Sequence, residues 1–292
     1  MNDFILKNTE SAGEDIKRII NEQIDTAFGY LERDINENFD ESVHEIRKCI
    51  KRIRAAVRLI RDDIGNDLYR RENYFFRDIN RNLSEIRSIA VINETLNKLD
   101  PGDSNNDCKA LINHFTELKE KIIYRLCVEE HRLTRVSEML KEGRTRTGLI
   151  PVKKNNIGIL ITGLVRIYNQ SLDCMLTAKN KPVVENLHEW RKKVKYLYYQ
   201  LQILRPVLPD ELVIYESKLD ELTDYLGTDH DLAELEDSLA GNPDVFKGKD
   251  KSCSINNTID KARHEKQKVL FTIAGEIFDD KLKDHISKIL SG

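Results

Sequence analysis

One pattern of apolar and charged positions occurs twice in this chain. It reads VHEIRKCIKRIRAAVRLIR from Val43 and LHEWRKKVKYLYYQLQILR from Leu187. At 100° per residue, each segment predicts a helix that is apolar along one edge and cationic along the neighbouring edge. The apolar edges are Ile46, Ile50, Ile53 and Val57 in the first copy and Trp190, Val194, Leu197 and Leu201 in the second.

The cationic edges carry the candidate binding residues. A charge run on a single helix is usually a solvated face, but recurrence at the same helical phase favours a shared role. Arginine and lysine bind phosphate oxygens, and an imidazole that begins to protonate near pH 6.5 can add to them. The candidates are His44, Arg47, Lys48, Lys51, Arg54 and Arg58 in the first copy, and His188, Arg191, Lys192 and Lys195 in the second, where Tyr198 and Gln202 replace the last two cations.

A second motif recurs with almost the same spacing. The segment Leu83-Ser84-x-x-Arg87-Ser88 matches Leu226-Gly227-x-x-His230-Asp231, and the offset between these two copies is one position shorter than the offset between the histidines His44 and His188. Two motifs that repeat at nearly one offset indicate an internal duplication. The basic residue common to both copies is Arg87 or His230, which either contacts the same anion or links neighbouring helices.

Helical periodicity extends over the whole chain and predicts an all-α fold without strands. Pro and Gly residues at 101–102, 148–151, 182, 206–209 and 241–243 mark the helix ends. We expect eight helices in two related four-helix units, residues 1–148 and 149–292. The predicted helices lie near residues 13–35, 40–64, 67–99, 106–142, 154–178, 182–205, 209–240 and 254–290.

Composition restricts the ligand of the cationic stripes. The net charge is −3 and the sequence pI is about 6.2, so the chain is not a generally basic protein that coats nucleic acid. A local cationic stripe in an acidic molecule suits a specific linear polyanion, because residues three or four apart place charges about 5–6 Å from one another. We expect no sequence-specific nucleic acid and no cofactor as ligands.

The location is predicted from what the sequence lacks. The N-terminus has no secretory signal pattern, and no stretch approaches the roughly 20 apolar residues of a membrane span. The five cysteines contain no C-x-x-C pair, so neither a disulfide framework nor a zinc knuckle is indicated. We therefore expect a cytoplasmic protein without a membrane partner.

Two alternative functions remain open at this point. Glu41-x-x-His44 and Glu185-x-x-His188 have the spacing of di-iron carboxylate ligands, and a metal-dependent phosphohydrolase would also need such a cluster. Cations at the third and fourth positions after each histidine disfavour a metal ion. No phosphate-binding Gly-rich loop, H-E-x-x-H or G-x-S-x-G motif occurs, so no enzyme is predicted. The other alternative is a basic helical scaffold for an acidic protein partner.

The paired basic helices and the segment LGTDHDL resemble the CHAD family of α-helical, polyphosphate-binding proteins. The segments ENLHEWRKKVKYLYYQLQILRP and LTDYLGTDHDL are the most specific part of this likeness. The resemblance implies two four-helix bundles related by pseudo-twofold symmetry, with a basic channel at their interface that binds inorganic polyphosphate. It also implies residence on polyphosphate granules. The E-x-E-x-K motif of a triphosphatase domain, which is fused to some relatives, is absent from the sequence.

Overall fold

The computed structural model describes residues 4–7, 11–32, 38–99, 106–152, 157–242 and 249–279. Within these ranges the protein is all-α and has no strand, as the sequence predicts. The helices are α1 (Ala12–Glu32), α2 (Phe39–Leu59), α3 (Arg61–Ile64), α4 (Asn66–Asn82), α5 (Ser84–Leu99), α6 (Asn106–Tyr124), α7 (Arg132–Gly148), α8 (Ile157–Asn180), α9 (Val184–Leu204), α10 (Asp210–Ala240) and α11 (Lys249–Ile277).

The predicted boundaries agree best in the second half, where α8, α9 and α10 are single helices. The outer parts of three predicted helices, residues 33–35, 154–156 and 280–290, lie outside the described residues. In the first half, three predicted helices are each divided, at Ile60, at Leu83 and at Glu130-His131. The last break follows a π-helix, Arg125–Glu129, and His131 there has a left-handed backbone with φ of 51°. The described chain thus has eleven α-helices where eight are predicted.

The two basic helices α2 and α9 pack against each other and against helices from both halves of the chain. The apolar edge of each is buried, as predicted, and both helices contribute to one hydrophobic cluster that also includes residues of α1, α4, α8 and α10. Helix α2 contacts α9 directly, and α5 contacts α10. A buried hydrogen bond joins the two basic helices, because the side-chain amide of Gln200 donates to the carbonyl oxygen of Ala55 at 3.2 Å. A second hydrophobic cluster consists of buried residues of α5, α6, α10 and α11.

Helix α8 approaches α2 closely at a glycine. A Cβ atom at Gly163 would lie 2.6 Å from the carbonyl oxygen of Leu59, a backbone atom that cannot move aside alone. We expect Gly163→Ala to lower the free energy of unfolding by about 2 kcal/mol, although alanine is the better helix former. Urea unfolding followed by circular dichroism measures this. Gly275→Ala, where the added Cβ meets nothing within 4 Å, is the control and should not destabilise the protein.

No helix in the described part of the chain is both long and apolar enough to cross a membrane.

Candidate functional site

A cleft lies between α2 and α9, and its walls are completed by α4, α5 and α10. It consists of two adjoining cavities with volumes of about 440 Å³ and about 270 Å³, which we call the first and the second cavity. Both are lined by the same six residues, which join them into one cleft: Arg47, Lys51, Ser84, Arg191, His230 and Glu234.

The structure places ten of the twelve predicted binding residues on the walls of this cleft. The first cavity is lined by His44, Arg47, Lys51, Arg87, Arg191 and His230. The second cavity adds Arg54, His188, Lys192 and Lys195. Residues from both sequence repeats therefore face one space, although they lie in different halves of the chain.

Lys48 and Arg58 are the two predicted residues that line neither cavity. Lys48 forms an ion pair with Glu45 on its own helix, with 3.1 Å between Nζ and Oε1. The Arg58 guanidinium lies 4.1 Å from the ring centroid of Tyr196 and donates hydrogen bonds to Tyr69 and Asn73. Arg58 therefore packs between α2, α4 and α9.

Most cations that converge on the cleft have no acidic partner. Among the described residues, none of the following forms an ion pair within 4.0 Å: Arg47, Lys51, Arg54, Arg191 and Lys195. Arg47 instead donates a hydrogen bond of 2.7 Å to the carbonyl oxygen of Asn80 near the end of α4, where carbonyl groups lack helical partners. Four other cations that line the cleft are paired: Arg87 with Glu94 at 3.0 Å, Lys192 with Glu189, and Arg77 and Arg81 with Asp78 at 2.9 Å and 3.4 Å.

This convergence of like charges lowers the pKa values of the lysines. The pKa of Lys51 is well below its usual value because burial removes water from the amine and Arg191, Arg47 and Lys195 repel its proton. For Lys195, burial and the charge of Arg191 lower the pKa to about 8. Burial is also the main reason why the pKa of Arg47 falls to about 10. The free cleft therefore carries positive charge at an energetic cost.

The pKa values of two imidazoles in the cleft are lower than the value near 6.5 that we expect for free histidine. Burial, together with Arg87 and Lys51, lowers the pKa of His44 to about 4. Burial and the neighbouring His230, whose ring centroid is 4.5 Å from that of His188, lower the pKa of His188 to about 4. Both are neutral at pH 6.5 in the free protein, so they become cations there only when an anion binds beside them.

Several residues of the cleft were not predicted from the sequence. Helix α4 contributes Arg77 and Arg81 to the second cavity, and α9 contributes the rings of Tyr196 and Tyr199. The first cavity is also lined by three carboxylates, Glu85, Asp231 and Glu234. Of these, only Glu234 lines the second cavity as well. The second cavity is thus strongly cationic, whereas the first has mixed charge.

The described residues offer no site for the metal alternatives. In that part of the chain, no three His, Cys, Asp or Glu side chains are grouped closely enough to hold a metal ion. Cations also surround the two histidines, because Lys48 and Lys51 follow His44 on α2, and Arg191 and Lys192 follow His188 on α9. This arrangement favours binding of an anion with several charges over binding of a metal dication.

The sequence matches the family model of the CHAD domain over residues 18–240. The chain belongs to the CHAD family. The match extends from α1 to the end of α10 and includes every residue that lines the cleft. No curated protein matches the sequence.

A solved CHAD structure shows the same fold. The crystal structure of the CHAD domain from the plant Ricinus communis superposes with a TM-score of 0.63 and a sequence identity of 15%. The superposition covers 97% of this chain and 94% of the plant domain, so α11, which follows the matched region of the family model, also belongs to the shared fold.

Proposed function

We propose that this CHAD protein is a non-enzymatic protein that binds inorganic polyphosphate in the cleft between α2 and α9. One observation carries the proposal: five arginine and lysine side chains of the two repeated helices face one cleft without an acidic partner among the described residues. The net charge of −3 means that the chain has more acidic than basic residues, so a lack of acids does not explain why these five side chains are unpaired. Leaving them unpaired is unfavourable unless a ligand supplies the negative charge.

The ligand is a flexible chain of closely spaced charges. The cations lie on several walls of the cleft, so a narrow polyanion can be contacted from several sides at once. Duplex DNA is rigid and wide, and its charges lie on the outside of a helix that cannot enter a space of a few hundred Å³. A single phosphate would contact only a few of these groups. Inorganic polyphosphate fits both requirements, and membership of the CHAD family supports it.

The overall arrangement that we propose is two four-helix bundles, residues 1–148 and 149–292, related by a pseudo-twofold axis, with the cleft as the basic channel between them. Two observations support it. Equivalent helices of the two halves contact each other: α2 contacts α9, and α5, which bears Arg87, contacts α10, which bears His230. In addition, the offset between Phe39 and Val184, which begin α2 and α9, equals the offset between Leu59 and Leu204, which end them. We also propose that the protein acts in the cytoplasm, in association with polyphosphate granules.

A titration of metal-free protein with polyphosphates of defined length tests the function. We expect the affinity to fall linearly on a plot of log K against log salt, because the cleft releases the condensed counterions of the chain. Duplex DNA at matched charge should compete at least about tenfold less well. Equal affinity for both polyanions would contradict the proposal. A labelled acidic peptide that polyphosphate fails to displace would indicate a protein partner instead.

A further inference from the structure

The cleft contains one carboxylate in an exceptional position. Glu234 on α10 lines both cavities, and it is the only carboxylate among the described residues that line the second, against eight arginines and lysines. About a third of its side chain is exposed, so a ligand in the cleft would meet it. The two other carboxylates of the cleft, Glu85 and Asp231, line only the first cavity. Glu234 therefore stands where the cationic part of the cleft meets the part of mixed charge.

Two neighbours hold the Glu234 carboxylate in this place. The Ser88 hydroxyl on α5 donates a hydrogen bond to it at 3.3 Å, and Nε2 of His230 lies 3.3 Å from its other oxygen. The hydrogen bond from His230 is the main reason why the pKa of Glu234 is lowered, although burial acts in the opposite direction. The group therefore remains an anion across the neutral pH range.

The duplication shows that the fold does not need an acid at this position. At the offset that relates Leu83 to Leu226, the equivalent of Glu234 in the first half is Val91, which also lines the first cavity. The same wall of the cleft is thus apolar in one half and anionic in the other. A hydrogen-bonded carboxylate beside the arginines and lysines of the second cavity is therefore a feature of this site and not of the helix packing.

We infer that Glu234 limits the length of polyphosphate that the cleft accepts: the chain lies along the second cavity and is repelled where it would pass Glu234 into the first. This inference rests on the proposed function. Like charges at contact distance in a partly dehydrated cleft repel each other strongly, so each phosphate beyond this point loses more than it gains. Affinity should then stop increasing once the chain fills the second cavity.

The test compares the parent protein with Glu234→Gln, in which the amide oxygen can still accept from Ser88. Isotherms are measured with tripolyphosphate and with a series of longer polyphosphates. We expect the variant to bind tripolyphosphate within about twofold of the parent and long chains about tenfold more tightly, with affinity levelling off at a greater length. Glu236→Gln is the matched control, since Glu236 lies on α10, is equally exposed (35%), and pairs with Arg263 at 2.8 Å outside both cavities. It should bind all lengths as the parent does.

The outcomes separate this inference from the proposed function. If the parent binds no polyphosphate, both fail. If the parent binds and Glu234→Gln leaves the ratio of long-chain to short-chain affinity unchanged or lowers it, only the length limit is wrong. Should Glu234→Gln not fold, Glu234→Val removes the same charge, since Val91 is the equivalent of Glu234 in the first half. It should raise the affinity for long chains relative to tripolyphosphate, and an unchanged ratio would overturn the inference.

Discussion

Replacing Arg191 and Lys195 by glutamate is expected to lower the affinity for polyphosphate by about a hundredfold or more while the protein remains folded. Both residues line the second cavity without an ion pair among the described residues, so reversal of their charge removes two ligand contacts and adds two repulsive ones. It also relieves the repulsion within the free cleft, which lowers the risk of unfolding. Binding isotherms measure the effect, with circular dichroism to verify the fold.

The control for this variant changes the net charge by the same amount elsewhere. Lys261 and Lys268 are exposed on α11 and line neither cavity, so Lys261→Glu with Lys268→Glu should change affinity by about threefold at most. The corresponding pair Arg47 and Lys51 should matter at least as much for binding. It is less suitable as a test, however, because Arg47 also binds the end of α4 through Asn80. Folded charge-reversal variants with parental affinity would show that the stripes are only solvated faces.

Replacing Lys51 by methionine should make the protein more stable and the ligand more weakly bound. Lys51 is surrounded by Arg47, Arg191 and other cations that lower its pKa, and methionine has a similar length without the charge. We expect the free energy of unfolding to rise by about 1–2 kcal/mol and polyphosphate affinity to fall about tenfold. Urea unfolding at pH 7 and titration with polyphosphate measure the two effects. A variant that loses stability would contradict this electrostatic explanation.

The pH dependence of that stability gain follows from the direction of the pKa shift. Because the folded protein binds the Lys51 proton less tightly than the unfolded chain, Lys51 destabilises the fold at neutral pH, and this effect disappears as the pH rises towards 10.5. The advantage of Lys51→Met should therefore shrink between pH 7 and pH 10. Because the pKa of Lys195 is lowered to about 8, the free energy of unfolding of the parent should also rise between about pH 8 and 10.5 as this destabilisation disappears. Polyphosphate restores these protons when it binds, so its affinity should fall as the pH rises.

Where the two halves agree, the sequence predicted which faces of the two repeated helices are buried and which lie together on one cleft. The apolar edges of α2 and α9 are buried and most of their cationic edges line the cleft. Both edges could be assigned from the helical period of the sequence alone. Arg77 and Arg81 could not be found by the same argument, since the equivalent positions in the second half are Asp220 and Asp224. These two aspartates raise the pKa of Lys195, whereas the arginines of α4 add positive charge to the second cavity. The duplicated pattern therefore pointed away from α4.

Other features depend on contacts that a sequence pattern does not contain. The break at Leu83 between α4 and α5 has no Gly or Pro, and the equivalent Leu226 lies inside the continuous helix α10. The pKa values of His44 and His188 depend on burial and on neighbouring basic groups, including Arg87 on α5 and His230 on α10, so the ordinary value of free imidazole was a poor guide. Lys48 and Arg58 share the helical phase of the stripe, but a nearby glutamate and two tyrosine rings occupy their charged ends.

The buried joint between α2 and α9 has a consequence for how a ligand enters. Gln200 bonds to the backbone of Ala55 inside a hydrophobic cluster that both halves of the chain share. The two walls of the cleft therefore cannot swing apart on a hinge without opening that core. A long chain must therefore enter the cleft without a separation of α2 and α9, with side chains adjusting around it. The ligand would then bind by diffusion and electrostatic steering into a cleft that is already formed, without a closing movement of the protein. The association rate constant should therefore be higher at low salt.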